Sequence, residues 1–236
     1  TTVTQGVNST EKASTYLQKD SDEAVVISTP YEGGRSLYAN KNSFTGSIVI
    51  EDNCDFLNLL GSSFDLTYVA GDRLRVGFYS TAADVTIQDA DLDQLEINAS
   101  GDCLIQGGNY GDVVVHVYYP SKTATQPKYS ADLSITGGCF DKDTVTVTYT
   151  DVRPAGLPKT EEKPLSSYVA ENYRVAPAGA QYLVLPNGEF VVSFNAAGGT
   201  VDTPWAATEQ GKLAALPTPT RTGCTFLGWF TAPQGG

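Results

Sequence analysis

The sequence predicts an all-β protein, most of it a solenoid of stacked parallel strands. Three observations carry that expectation. Short runs rich in Val, Ile, Thr and Tyr recur along the chain, parted by Gly, Asp, Asn or Pro. One pattern of residue types returns at 84–97, 102–115 and 132–145. The corners inside that pattern carry Asp-Ala or Gly-Gly, residues suited to tight turning or positive φ.

Taken in order, the runs are "AVVIS", "GSIVIED", "FDLTYVA", "RLRVGFY", "DVTIQD", "QLEIN", "DVVVHVYY", "TVTVTYT", "YLVL" and "EFVVSF". Their β-branched and aromatic residues suit a pleated, half-buried surface, and each run is too short for a stable helix. Two segments read instead as short helices, "STEKASTYLQKD" (9–20) and "PLSSYVAEN" (164–172). Asn187-Gly188 is a strong hairpin signal and is expected to join "YLVL" to "EFVVSF".

The repeat fixes which side chains share a column. "DVTIQDADLDQLEI", "DCLIQGGNYGDVVV" and "DLSITGGCFDKDTV" each begin with Asp, place Ile three positions on (Ile87, Ile105, Ile135) and resume after the corner with Leu92, Tyr110 or Phe140. "SIVIEDNCDFLNLL" (47–60) fits more loosely, with Ile50 in the isoleucine place and Cys54 aligned with Cys139. The offsets are 18 and then 30 residues, which places an insertion at "YYPSKTATQPKYS". Inward residues of each coil then bury against their counterparts in the next. The expected architecture is a short right-handed parallel β-helix over about 20–150. An antiparallel β-sandwich is the alternative.

Composition narrows function. The chain has 236 residues and a formal net charge of −12, so its summed field repels phosphate backbones and anionic lipid. Nucleic acid is not expected as a partner. No apolar run approaches the ~18 residues that span a bilayer, and the sequence shows no basic-then-apolar signal-peptide pattern. Cys54, Cys103, Cys139 and Cys224 lack zinc-ligand spacing, and buried free thiols or disulfides both remain open. The chain holds no methionine, which leads to the expectation that an upstream segment has been removed.

Residues able to carry chemistry are few. His116 is the single histidine, so any Ser-His-Asp or Cys-His mechanism would pass through it, yet it lies in an alternating strand-like run. Asp84, Asp102 and Asp132 repeat at equivalent places, as a carboxylate ladder or as turn-forming residues. Asp89, Asp91 and Asp93 alternate like a calcium loop but lack its glycine and distal glutamate, so a solvated corner is expected. "LPKTE" (157–161) resembles a sortase signal without its glycine and reads as a loop. No catalytic, metal or cofactor site is expected, and no ligand-binding residue stands out.

Two stretches resemble known elements. Ile135, Thr136, Gly137, Gly138 and Phe140, followed by Pro164, Tyr168, Val169, Ala170, Tyr173 and Val175, are similar to a strand, corner and closing element of β-helical bacterial surface proteins. That resemblance implies a cap over about 150–188 that covers the open edge of the helix. "FNAAGGTV" (194–201) and "GKLAALPTPTRTGCTFLGWFTAPQGG" (211–236) resemble the Listeria-Bacteroides repeat, the B-repeat module known from internalin B. Phe194, Asn195, Gly198, Gly199, Pro217, Pro219, Arg221, Gly223, Phe226, Gly228 and Trp229 are among the matching positions. Cys224 departs from the pattern, where an aromatic is usual, and the family continues past the Trp-containing strand, so a fragment cut inside a module is expected.

The domain reading is a β-helix-like unit over 1–188 and an incomplete, β-grasp-like repeat over 189–236. The resemblance implies a non-catalytic piece of an extracellular bacterial surface protein, wall-attached through parts of a longer parent. It would act as adhesin or stalk, a monomer whose partner is a host or bacterial surface protein or a glycan. The alternative is a β-helix enzyme on polysaccharide, which needs paired carboxylates in a groove lined by aromatics such as Tyr79, Tyr110 or Tyr119.

Overall fold

The computed structural model describes residues 2–4, 14–17, 25–28, 35–39, 44–46, 48–50, 57–60, 63–66, 69–76, 84–98 and 100–232, with side chains from residue 73 onward. The protein is all-β among these residues, apart from a single 3-10 turn at Leu165–Ser167.

The strands fall into parallel ladders. β1 (Thr2–Thr4), β2 (Ser14–Leu17), β3 (Val25–Ser28), β4 (Arg35–Ala39), β5 (Phe44–Gly46) and β6 (Ile48–Ile50) open the chain. β7 (Leu57–Leu60), β8 (Ser63–Leu66), β9 (Val69–Val76), β10 (Asp84–Ile87), β11 (Ala90–Ile97), β12 (Asp102–Ile105), β13 (Asn109–Val117) and β14 (Asp132–Ile135) follow. One sheet runs β1-β3-β6, a second runs β5-β8-β10-β12-β14, and a third carries β2-β4-β7-β9-β11-β13. Neighbours within each of these runs pair in parallel.

Register agrees with the sequence repeat residue by residue. Ile87 pairs with Ile105 and Ile105 with Ile135, and all three are fully buried. In the third sheet Leu92 pairs with Tyr110, and Tyr110 with Phe140 of β15 (Cys139–Phe140). The last two rings stack 5.1 Å apart at 19°. Each buried aliphatic in such a column contributes about 1.5–3 kcal/mol of burial. The corner glycine explains why the strands can stack so closely here. Gly108 sits at φ 98°, and a Cβ on it would lie 2.4 Å from the carbonyl oxygen of Ala90 at the start of β11.

The expected insertion is present. Residues 118–130 leave the ladder between β13 and β14 and fold back through an antiparallel bridge from Tyr118 to Tyr129. Beyond it the pairing changes sense. β16 (Thr144–Tyr149) still pairs with β13 in parallel, but its far side takes β17 (Thr160–Pro164) antiparallel. β18 (Tyr173–Ala178) and β19 (Gln181–Pro186) form a hairpin, and β19 pairs antiparallel with β15. The edge of β14 meets Val169, with Ile135 donating to the Tyr168 carbonyl at 2.9 Å and Ala170 donating to Ile135 at 3.0 Å. Three edges that would otherwise present unpaired backbone groups are thus occupied.

The last two strands, β20 (Val191–Ser193) and β21 (Trp205–Ala207), make a separate antiparallel pair. No residue of 191–232 is buried, whereas the core of the ladders is closed to solvent from Leu74 to Leu185 among the described residues.

Several expectations are corrected. The helix expected over 9–20 gives way to β2, because Ser14–Leu17 pair with Ser36–Ala39 and that ladder outweighs local helix preference. Only one 3-10 turn forms within 164–172. Parallel pairing starts at β1, ahead of residue 20. Ile50 is not in the isoleucine column: it pairs with Ile27 in the three-stranded sheet, and Gly46 lies opposite Leu66. Asn187-Gly188 does turn, with Gly188 at φ 96°, but β19 spends both its edges on β15 and β18, so no hairpin with β20 forms. "LPKTE" is loop only in its first half, since Thr160 and Glu161 enter β17.

Candidate functional site

The repeated acids take up structural positions. Asp84, Asp102 and Asp132 are all exposed at the start of their strands, and the Asp84 carboxylate accepts the Asp102 backbone N–H at 3.0 Å. The acid at the head of β10 therefore steadies the start of the neighbouring strand β12. Asp89, Asp91 and Asp93 are exposed, as a solvated corner requires, while Ala90 and Leu92 between them point inward. Of the aromatics offered as groove lining, Tyr110 is core and its hydroxyl donates to the Gly107 carbonyl at 2.8 Å. Tyr119 leans on Tyr149 with ring centres 6.3 Å apart, and Tyr79 lies outside the described residues.

The cysteines divide by position. Cys103 is a buried free thiol in the column between Val85 and Leu133, and burial pushes its pKa up to about 12. Cys139 is half-buried and Cys224 exposed, both as free thiols, and Cys54 lies outside the described residues.

The chemistry that the strand alternation did not reveal centres on Glu96. It faces outward from β11 yet is only 5% exposed. Register brings its partners together: Arg75 lies opposite on β9, Arg73 two residues earlier on that strand, and His116 two residues beyond the Val114 that pairs with Glu96. Arg73 Nη2 reaches Oε1 at 3.0 Å, Arg75 Nε donates to Oε2 at 2.7 Å, and His116 Nε2 stands 3.3 Å from Oε2. Burial acts to raise the Glu96 pKa, but hydrogen bonds from His116 and Arg75 and their charges outweigh it and bring it to about 2. At neutral pH this is a fixed anion, suited to clamping three strands rather than to moving protons. The signal was present in the repeat offset, which carries Arg75 to Glu96 and Glu96 to Val114.

The second candidate is the surface of residues 191–232. Gly198 at φ 87° and the turn bond from Gly199 to Ala196 reverse the chain, and a Cβ on Gly199 would lie 2.6 Å from the Thr220 carbonyl. Thr200 and Thr220 then exchange backbone bonds at 2.8 Å. Trp229 packs between Phe194 and Phe226, with ring centres 5.0 and 5.6 Å away, and its Nε1 donates to the Pro217 carbonyl at 2.7 Å. Beside this cluster runs an open groove of about 500 Å³, bordered by Ala196, Pro219, Phe226, Leu227 and Phe230 with Arg221 at its rim. Arg221 is itself held by a 2.9 Å bond to the Ala197 carbonyl. The groove is a largely apolar surface that also carries the Arg221 guanidinium and the free Cys224 thiol.

Residues 190–236 match the family model of the Listeria-Bacteroides repeat domain. The aromatic cluster and paired glycines just described fall within that match. No curated protein matches the chain, and no solved structure does.

Proposed function

We propose that this chain is a non-catalytic segment of a bacterial surface protein. Its ladders coil as a right-handed parallel β-helix, β17 to β19 cap the coil, and a B-repeat-like, β-grasp-like module continues from it. The match of residues 190–236 to the Listeria-Bacteroides repeat carries this reading, because such repeats are typical of bacterial surface proteins. The coil then serves as stalk or adhesin outside the cell, presenting a face to a protein or glycan. Support comes also from the acids, since Asp84 is engaged by the next coil's backbone and Glu96 is held ionised between cations.

The test pairs a glycan array with a reducing-sugar assay on the same preparation. Retention of a glycan or surface protein without product release is the expected result. Release of sugar from any plant or mucin polysaccharide would overturn the reading in favour of a β-helix enzyme.

A further inference from the structure

The connection between the capped coil and the repeat is short, and its polar groups converge on Glu189. Its carboxylate accepts the Thr208 hydroxyl at 2.5 Å and the Gly211 backbone N–H at 3.1 and 3.3 Å. The Thr208 hydroxyl in turn accepts the Phe190 N–H at 2.8 Å, and the Thr208 N–H donates to the Phe190 carbonyl at 2.8 Å. From the other side, Arg174 of β18 donates to the Glu189 carbonyl and lies over the Phe190 ring, 5.9 Å from its centre. The turn that offers Gly211 needs positive φ at Gln210 and Gly211, 51° and 74°, a shape the carboxylate stabilises by taking its inward N–H groups.

An apolar contact lies under this polar cluster. Ala176, Ala178, Leu183 and Leu185 of the β18–β19 hairpin pack against Val191, Trp205 and Ala207 of the repeat. Gly179 leaves room for the indole: a Cβ there would stand 3.3 Å from Trp205 Cδ1.

We propose that Glu189 is a latch that makes this joint a rigid coupling, fixing the repeat in one orientation on the end of the coil. Trp205 supplies the seat and the Glu189 carboxylate stops rotation about it. The inference rests on the scaffold reading above, where a stiff joint transmits load that a flexible linker would absorb.

Residual dipolar couplings on the full chain test it. In the parent, one alignment tensor is expected to fit the amides of both 100–186 and 191–232. In Glu189→Ala the repeat is expected to need its own tensor, reduced about two-fold or more, and the Gly211 amide to exchange at least about tenfold faster. Glu189→Gln, which keeps the shape and loses the charge, is expected to fall between. Should Glu189→Ala unfold the repeat, as read by its tryptophan emission, the Gln variant and the parent tensor decide alone. Two tensors in the parent, or an unchanged tensor and unchanged Gly211 exchange in the variants, overturn the latch. Neither result bears on turnover, so the scaffold reading stands or falls separately.

Discussion

Ile105 lies between Ile87 and Ile135 with no exposed surface, so its replacement is felt by two neighbouring strands at once. Truncation to Ala removes burial and leaves a cavity that a stacked ladder cannot close, at a cost of about 2–5 kcal/mol. Asp at the same place would put an unpaired charge in the column and should unfold the ladder cooperatively. Denaturant titration of both variants checks this, and midpoints equal to the parent would remove the column from the account. Glu96 makes a different demand. Its pKa is lowered from 4.5 to about 2 on folding, so its stabilisation is complete above pH 4.5 and is lost as pH falls toward 2. The shift corresponds to roughly 3 kcal/mol. Glu96→Gln should be less stable than the parent at pH 7, and the gap should close by about pH 2, measured by chemical denaturation across that range. A constant gap would mean that the clamp does not depend on the carboxylate's charge.

At the scale of elements, the end of the ladders depends on backbone pairing rather than on side-chain bulk. β14 has one neighbour in β12 and, on its other side, only the bonds to Tyr168 and Ala170. Ala170→Pro removes the donor to Ile135, costing about 1 kcal/mol directly and freeing a strand edge able to recruit a second chain. Sedimentation velocity should show larger species that grow with concentration in this variant, while a profile like the parent's would show that the edge is protected by other means. The columns Ile87–Ile105–Ile135 and Leu92–Tyr110–Phe140 were readable in advance because each position repeats the same burial, and repetition survives an insertion. Pairing that breaks the repeat left no such trace. The antiparallel returns of β17 and β19 depend on which edge is vacant, not on local residue preference. Ser14–Leu17 contain helix-compatible residues and become strand only because a partner lies alongside. Asn187-Gly188 announces a turn faithfully but does not say which strand follows. The Glu96 cluster was obscured because a buried carboxylate on an outward face reads, in an alternating pattern, as ordinary solvated charge.

For the molecule as a whole, burial is unevenly distributed, and this has a measurable consequence. The ladders enclose side chains with no exposed surface, including Leu74, Leu95, Ile97 and Leu165, whereas 191–232 encloses none and leaves Phe190, Leu216, Leu227 and Phe230 between 58% and 86% exposed nearby. Stability of a region follows the apolar area it removes from water, so the repeat should open at lower denaturant than the ladders. The chain supplies its own reporter, since both tryptophans, Trp205 and Trp229, lie in the repeat. Trp229 is held by Phe194, Phe226 and the Pro217 carbonyl, contacts internal to that unit. Trp205 sits on the joint. Tryptophan emission should therefore shift in an early transition, while far-ultraviolet circular dichroism, dominated by the many strands of the ladders, follows in a later one. A Trp205→Phe variant, leaving Trp229 alone, should sharpen the early transition because the signal from the joint is gone. Superimposable transitions in both proteins would mean that the seam on β18 and β19 couples the two units into one cooperative body, and that the sparse interior of the repeat is stabilised from the ladders.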